Sequence, residues 1–404
     1  MADSMRILVK AGKIGRHIAV LDESKLAEYY VEHDGESSLV NALLLGRVER
    51  VVPGMNAAFV QIGQPLNGFL PLTEMESFAQ NAAETQPVAG QELIVQVKKD
   101  AKDQKGAFLT RDISLPGQYL LYMPLNRYVG VSKRVNDPQS REALLALGKE
   151  LCAGEFGLVM RQAALTARRD ALTEELAELK ARWEALQNKA KFAKAPATLH
   201  RETTALAGLV RDYATRYGIA ITCNDAINRM PAPPTGLMWE QLNDEELNAL
   251  WTGARIDAQL QEALGRRVTL KNGGTIVIDQ QEALTSVDVN SASFVGDREG
   301  DLAFRQNLAS CDDIARQIRL RNISGIILID FIDMQNDEQR EQVMARLKAE
   351  LSRERVKTVI HGFTSLGLLE MTRKRTGASL REQLETPCEK CHGTGYRMER
   401  DSKP

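Results

Sequence analysis

No run of about eighteen apolar residues occurs in the 404-residue chain, so no membrane-spanning helix is expected. The first residues, MADSMRILVKAG, lack the apolar core of a secretory signal, and a cytoplasmic location is the default that follows. Cysteine is scarce. Cys152, Cys223 and Cys311 stand alone, and only Cys388 and Cys391 form a close pair. That scatter excludes a disulfide framework. An excess of one charge is also missing: 52 Lys and Arg stand against 54 Asp and Glu, a formal net charge of -2. Any role on nucleic acid must therefore rest on local features rather than on an overall field.

What remains is an ordinary globular composition, 43% hydrophobic and 26% charged. The length exceeds one ordinary domain, and roughly two to four are expected. Residues 5 to 34 read as short strands, MRILVK, HIAVL and AEYYVE. The stretch SLVNALLLGRVERVVPGMNAAFVQIGQPLNGFLPL reads as strand, Pro-Gly turn, strand, turn, strand, and QELIVQVKKDAKDQKGAFLT adds two strands around a Lys-rich loop. Five short strands so close together point to a small closed barrel of the OB type.

From about residue 164 the period changes. Leu172, Leu176, Leu179, Trp183 and Leu186 recur at spacings of four and three, one apolar stripe on a long helix. Such a stripe is a packing face and carries no chemistry. KAPATLH breaks it, and a second helix over 201 to 217 completes an expected helical hairpin. IAITCND reads as a strand, MPAPPTG as a loop, and the acidic start of NDEELNALW as a helix N-terminus. The last part alternates strand and helix. RVTLKNGGTIVID is a hairpin around Asn272-Gly273-Gly274, LTSVDVNS a strand, 301 to 321 an amphipathic helix, and GIILID a strand of the kind buried on both faces. A helix over 337 to 354 carries Val343, Leu347 and Leu351 on one face, and VKTVIHGF is a strand again. This order predicts an α/β layer with partly parallel pairing.

Two of those strands carry carboxylates. In LTSVDVNS, Val287 and Val289 point one way, and Asp288 and Asn290 the other. In GIILID, Asp330 comes where the apolar run ends, and ligands of open α/β sheets bind beyond the carboxyl ends of strands. If the strands are neighbours, the two aspartates meet. Close carboxylates repel unless a cation lies between them. Magnesium takes one or two carboxylates and keeps several waters. A metal so held suits phosphoester hydrolysis, and the Asn290 amide can steer a ligand or water. The plain alternative is that Asp288 caps a turn and Asp330 ends a strand; two in apolar strands with a same-face Asn favour the functional reading. Asp333 falls on the opposite pleat face from Asp330, and a lesser, structural role is expected of it.

On the barrel, alternation in AAFVQIG puts Ala58, Val60 and Ile62 on one face and Phe59 and Gln61 on the other. An aromatic on a polar barrel face is what base stacking needs, and Phe69 in GFLPL is a second candidate. Lys98, Lys99, Lys102 and Lys105, in or beside the polar loop, can meet phosphates. An exposed Phe is more often plain surface or a domain contact, and pattern alone leaves both readings open. PCEKCHGTG is a C-x-x-C knuckle whose glycines permit a tight turn around a metal. It supplies two ligands where structural zinc wants four. A redox use is the alternative, although such motifs belong near the start of a βαβ unit. Two chains can build a tetrathiolate site from one pair each.

Taken together, EALTSVDVNSAS, IARQIRLRNISGIILIDFIDM, GLLEMTRKR and CEKCHGTG resemble the catalytic core of the ribonuclease E/G family. The resemblance continues through GRVERVVPGMNAAFVQIG, GFLPL and KGAFLT and covers essentially the whole chain. It implies that Asp288 and Asp330 hold a catalytic magnesium supported by Asn290. It implies internal hydrolysis of single-stranded RNA to 5′-phosphate and 3′-hydroxyl ends, in RNA processing or decay. Phe59, Phe69 and Lys105 match the family's RNA-binding positions on an S1-type barrel, and Cys388 and Cys391 match its zinc link, so a zinc-bridged homodimer is expected. The implied architecture is an α/β multidomain chain. A degenerate RNase-H-like scaffold (1–36 and 205–265) is interrupted by the S1-type barrel (37–116) and a 5′-sensing region (117–204). A DNase-I-like layer (266–382) and the zinc-link segment (383–404) follow.

The sequence also departs from the family. Gly117 and Leu121 match the wall of its pocket for a 5′-monophosphate, and Arg161 is kept. The family's Arg-Thr pair, however, becomes Arg161-Gln162, and its second arginine aligns with Lys357. An Arg-to-Lys change loses the bidentate fork, so weak discrimination of the 5′ end is expected. The chain ends soon after Cys391, so neither the small C-terminal domain of longer members nor a scaffold tail for other degradation enzymes is expected. A catalytically idle RNA-binding protein of the same fold is the alternative; the retained Asp288, Asn290 and Asp330 speak against it. A DNA nuclease rests on fold analogy alone. A metal-free, two-histidine ribonuclease is disfavoured, because His17, His33, His200, His361 and His392 form no recognisable acid–base pair.

Overall fold

A computed structural model describes residues 4–12, 15–32, 39–76, 87–101, 104–135, 137–201, 205–213, 218–224, 238–270, 273–291 and 299–391. The chain divides into two compact units, Asp34–Ile219 (with Met1–Asp3) and Ser4–His33 with Ala220–Pro404.

In the first unit, strands Leu43–Val52, Ala57–Gln61, Gly68–Pro71, Phe108–Thr110 and Glu92–Lys99 pair in that order. The first also pairs with the last, from Leu43↔Gln96 to Arg47↔Glu92, and this closes a five-stranded barrel. Leu44, Val48, Ala58, Val60, Leu70, Val95, Val97 and Leu109 fill it. Period-two alternation fixes which side chains remain outside: Phe59, between Ala58 and Val60, is only half-buried.

Beside the barrel, a four-stranded sheet runs Val129–Val131, Gly157–Met160, Leu120–Met123, Leu115–Pro116. Helices Pro138–Cys152 and Arg169–Phe192 pack on it. All five stripe residues, Leu172 to Leu186, are buried there. Each fully buried side chain contributes about 1.5–3 kcal/mol, so packing rather than propensity holds this helix. The expected helical hairpin is interrupted. Ala197–His200 is a strand that adds to the Leu43–Val52 edge, and the next helix is described over Ala205–Tyr213, within the expected span. Leu199 is buried while Thr198 is exposed, a strand alternation hidden behind Pro196.

The second unit holds two sheets. One runs Met238–Gln241, Gly218–Cys223, Ser4–Gly12, Gly15–Asp22, Lys25–Glu32. Helices Asp244–Gly253 and Ile256–Leu264 bury Leu247, Trp251, Ile256 and Leu260 in one cluster with Leu8, Ala19, Leu21, Leu26 and Tyr29. The acidic helix start is a capping box, in which Asn243 accepts from the Glu246 amide and Glu246 accepts from the Asn243 amide. The loop 225–237 lies outside the described residues.

The other sheet runs Arg267–Thr269, Thr275–Gln280, Leu284–Asn290, Gly325–Asp330, Leu369–Arg373, Thr358–Phe363. The first two strands form the expected hairpin, with Gly273 at φ +87°, where a side chain would strain the turn; Asn272 is outside the described residues. Only Leu284–Asn290 and Gly325–Asp330 are parallel, joined through the crossover helix Glu299–Leu320. That helix and Asp337–Leu351 both cover the same sheet face, where Cys311, Ile314, Ile318, Val343, Leu347 and Leu351 meet Val287, Val289, Ile327 and Ile329. This corrects the reading of GIILID as buried on both faces. Ile327 and Ile329 are buried, whereas Ile326 is 50% exposed and Asp330 is exposed.

This unit also holds a buried ion network, in which Glu28 and Arg373 come from strands of its two sheets. Arg373 forks onto Glu354 at 3.0–3.1 Å and also donates to the Asn322 side chain and the Ile323 carbonyl. Arg319 donates to Glu28 at 2.7 Å. Glu28 also accepts from the Tyr30 hydroxyl, at 2.7 Å.

Candidate active site

The one-sided sheet explains where the carboxylates go. Val287 and Val289 bury against the helices, so Asp288 and Asn290 are driven to the open face. Ile327 and Ile329 do the same for Asp330. Asp288 and Asp330 are direct register partners across the parallel pair. Asn290 donates from Nδ2 to Asp288 Oδ2 at 2.8 Å and so holds that carboxylate in one orientation. The Asp330 carboxyl is pushed above its ordinary range, first by partial burial, then by the negative charges of Asp288 and Asp333. A carboxylate raised by the charge of a neighbouring carboxylate fits a divalent cation, whose charge removes the repulsion. Among the described residues no three His, Cys, Asp or Glu side chains converge on one point, so two carboxylates and water is the donor set on offer.

Asp333 differs from its sequence reading. The strand ends at Asp330, so pleat alternation does not carry on to residue 333, and its charge reaches Asp330. Sequence reading also missed Asn307. It is fully buried on the crossover helix, accepts from the Ile332 amide at 3.0 Å and donates to the Ile332 carbonyl at 2.7 Å. This side chain fixes the segment that leaves Asp330. Nothing in sequence spacing distinguishes it from an ordinary helical Asn.

On the barrel, Phe59 and Phe69 are half-buried cross-strand partners, with ring centroids 5.9 Å apart at 68°. Lys105 is exposed, and Gly106 beside it packs against the Asn67 carbonyl where a Cβ would collide. Lys102 is outside the described residues. Lys98 is engaged by Glu74 at 2.6 Å, which weakens its case as a phosphate contact.

The expected 5′-end residues fall into both units. Gly117 and Leu121 lie on either side of the Gln118–Leu120 turn, with Leu121 paired to Val159 and Pro116. Arg161 is anchored there. Its amide donates to the Tyr119 carbonyl, Nη1 to the Gly117 carbonyl, and Nη2 to Asp212 Oδ1 at 2.8 Å. Gln162 follows, exposed, at the start of a 3-10 turn. Lys357 is exposed in the other unit, just before the strand Thr358–Phe363. A further carboxylate was missed. Glu175, in the second turn of the helix Arg169–Phe192, accepts from three successive amides, Gln118, Tyr119 at 2.9 Å and Leu120 at 2.8 Å. Burial pushes its carboxyl up, opposed by those three N–H groups and by Arg161.

Near the C-terminus, Cys388 is exposed and Cys391 half-buried. Backbone N–H groups of the knuckle and the Cys391 side chain pull the Cys388 thiol below its ordinary range, which favours the thiolate a metal requires. His392 lies outside the described residues. The histidines that are described serve separate neighbours: His17 meets the Tyr29 hydroxyl at 2.6 Å, His200 meets Arg182, and His361 meets Thr372 at 3.1 Å.

A model of the Ribonuclease E/G family matches residues 114–376. Ribonuclease G of Escherichia coli (strain K12) is 37% identical over 415 residues, which cover 96% of this chain and 83% of that protein. Ribonuclease G of Haemophilus influenzae is 35% identical, covering 97% of this chain and 84% of that protein. Ribonuclease E of Escherichia coli (strain K12) is 34% identical over 95% of this chain and 38% of that protein.

Proposed function

The chain belongs to the ribonuclease E/G family, and on that premise we propose that it is a magnesium-dependent endoribonuclease acting on single-stranded RNA in RNA processing or decay. The observation that carries this reading is the register pairing of Asp288 with Asp330, with Asn290 bonded to Asp288. Asp288 and Asp330 are the residues that hold the metal. Asn290 keeps the Asp288 carboxylate turned so that one oxygen is spoken for and the other is left for a cation. Magnesium bound there supplies an activated water and charge stabilisation at the phosphate. The bond that breaks is the one between phosphorus and the 3′ oxygen, leaving a 5′-phosphate and a 3′-hydroxyl.

The closed barrel is the S1-type RNA surface in this reading, with Phe59 and Phe69 stacking bases and Lys105 on a phosphate. The sheet built on Ser4–Glu32 is the RNase-H-like scaffold, and the six-stranded layer is DNase-I-like. Cys388 and Cys391 donate two thiolates to a zinc shared with a second copy, giving a homodimer. No helix among the described residues is long and apolar enough to cross a membrane. Arg161 and Gln162 support weak sensing of the 5′ end at most, since Arg161 is already paired and Gln162 stands where a hydroxyl is the better donor.

The test is cleavage of a labelled single-stranded oligomer by Asp288→Asn and Asp330→Asn in magnesium. The metal stabilises the transition state by several kcal/mol. Each variant is therefore expected to lose about a hundredfold or more in rate while keeping RNA affinity, which is spread over the barrel. Near-normal turnover in either variant sinks the assignment.

A further inference from the structure

Five side chains lie in one row across all five strands of the barrel. Arg50 is the register partner of Phe59, Phe59 of Phe69, Phe69 of Phe108, and Phe108 of Lys99. The row is on the outside. Its immediate neighbours Val60, Leu70 and Leu109 are buried, whereas the three rings are half-buried and Arg50 and Lys99 are exposed. The ring centroids follow one another at 5.9 and 6.0 Å, tilted by 68° and 51°. A cation closes each end, Arg50 at 4.8 Å from the Phe59 centroid and Lys99 at 5.7 Å from that of Phe108.

A barrel whose interior is already filled has no need of three aromatics on its polar side. Cross-strand aromatic pairs add only a little to a sheet. Rings presented in a line, with a positive charge at each end, match a single nucleic-acid strand instead. Bases of any kind stack on π faces, and cations take the phosphates that flank them. Phe59 and Phe69 were legible in the sequence as separate candidates. Phe108 was not, because it follows the polar loop as the first residue of a three-residue strand.

We propose that the row is a three-base platform for single-stranded RNA, in which Phe108 stacks a third base beside those held by Phe59 and Phe69, and Arg50 and Lys99 receive the phosphates at its two ends. The proposal rests on the barrel being an RNA surface and goes beyond it in assigning Phe108, Arg50 and Lys99 and in fixing the number of bases.

The experiment uses the full chain silenced by Asp330→Asn, and single-stranded oligomers carrying one abasic site at successive positions. Three consecutive positions are expected to weaken binding, each by about tenfold, the effect of losing one base–aromatic stack. Phe108→Leu keeps the bulk but not the π face, so one of the three positions is expected to become insensitive; Phe108→Trp is expected to restore it. Arg50→Gln and Lys99→Gln are each expected to reduce the slope of log affinity against log salt by about 0.7, one phosphate contact on a single strand. Two sensitive positions in the parent, with Phe108→Leu binding as the parent does, overturns the third stack while leaving the RNA surface intact. Failure of the parent to bind any oligomer overturns the RNA surface itself, and the platform with it.

Discussion

Two oligomers that differ only at the 5′ end, one a monophosphate and one a hydroxyl, probe the candidate pocket at Gly117, Leu121, Arg161 and Gln162. A strong sensor offers a phosphate a free guanidinium fork and a hydroxyl. Here both ends of the Arg161 fork are engaged, by the Gly117 carbonyl and by Asp212 at 2.8 Å. The amides of Gln118, Tyr119 and Leu120 are engaged by Glu175. A phosphate that enters meets the Asp212 carboxylate already on the guanidinium, so the charge-assisted gain it makes there is reduced. Such bonds are worth about 1.5–3 kcal/mol each when they are a net gain, and 1.4 kcal/mol is about a factor of ten. Without the second arginine fork and the hydroxyl, one or two of these gains are missing. The monophosphate advantage is therefore expected to stay below about tenfold. The assay is the ratio of cleavage rates at limiting substrate. Asp212→Ala, which releases one end of Arg161, is expected to raise the ratio. A parent ratio well above tenfold refutes the reasoning, because it means that Arg161 discriminates the 5′ end in spite of its partners and of Gln162 beside it.

Replacing Cys388 and Cys391 with Ser is expected to abolish bound zinc and dissociate the dimer at low concentration; one zinc per chain, or an unchanged dimer mass, refutes the shared site. Arg373→Met leaves Glu354 buried without its fork and is expected to cost about 3–5 kcal/mol in urea unfolding, with much of the loss regained when Glu354→Leu is added. A single change costing under about 1 kcal/mol shows that the network matters little.

The period-two and period-3.6 patterns carried most of the fold, because each buried face is one-sided and repeated. The stripe from Leu172 to Leu186 and the Val287–Val289 alternation both became packing faces where they were read. GIILID misled because an apolar run does not say how many faces are covered; both helices settled on one, and Ile326 was left half exposed. Strand Ala197–His200 was hidden because a short segment beside a proline looks like a loop until the edge of Leu43–Val52 takes it up. At the site, Asp288, Asn290 and Asp330 were legible because polar residues in apolar strands break a pattern. Asn307, Glu175 and Phe108 break none: their partners are backbone groups or rings brought close only by the fold.

The most direct measurement is end-group analysis of a single-stranded RNA oligomer cut by the purified protein in magnesium, repeated with EDTA and with Asp330→Asn. The account predicts internal cleavage with 5′-phosphate and 3′-hydroxyl ends in magnesium, and none in the other two arms. Products ending in a 2′,3′-cyclic phosphate, or undiminished cutting in EDTA or by Asp330→Asn, would contradict it.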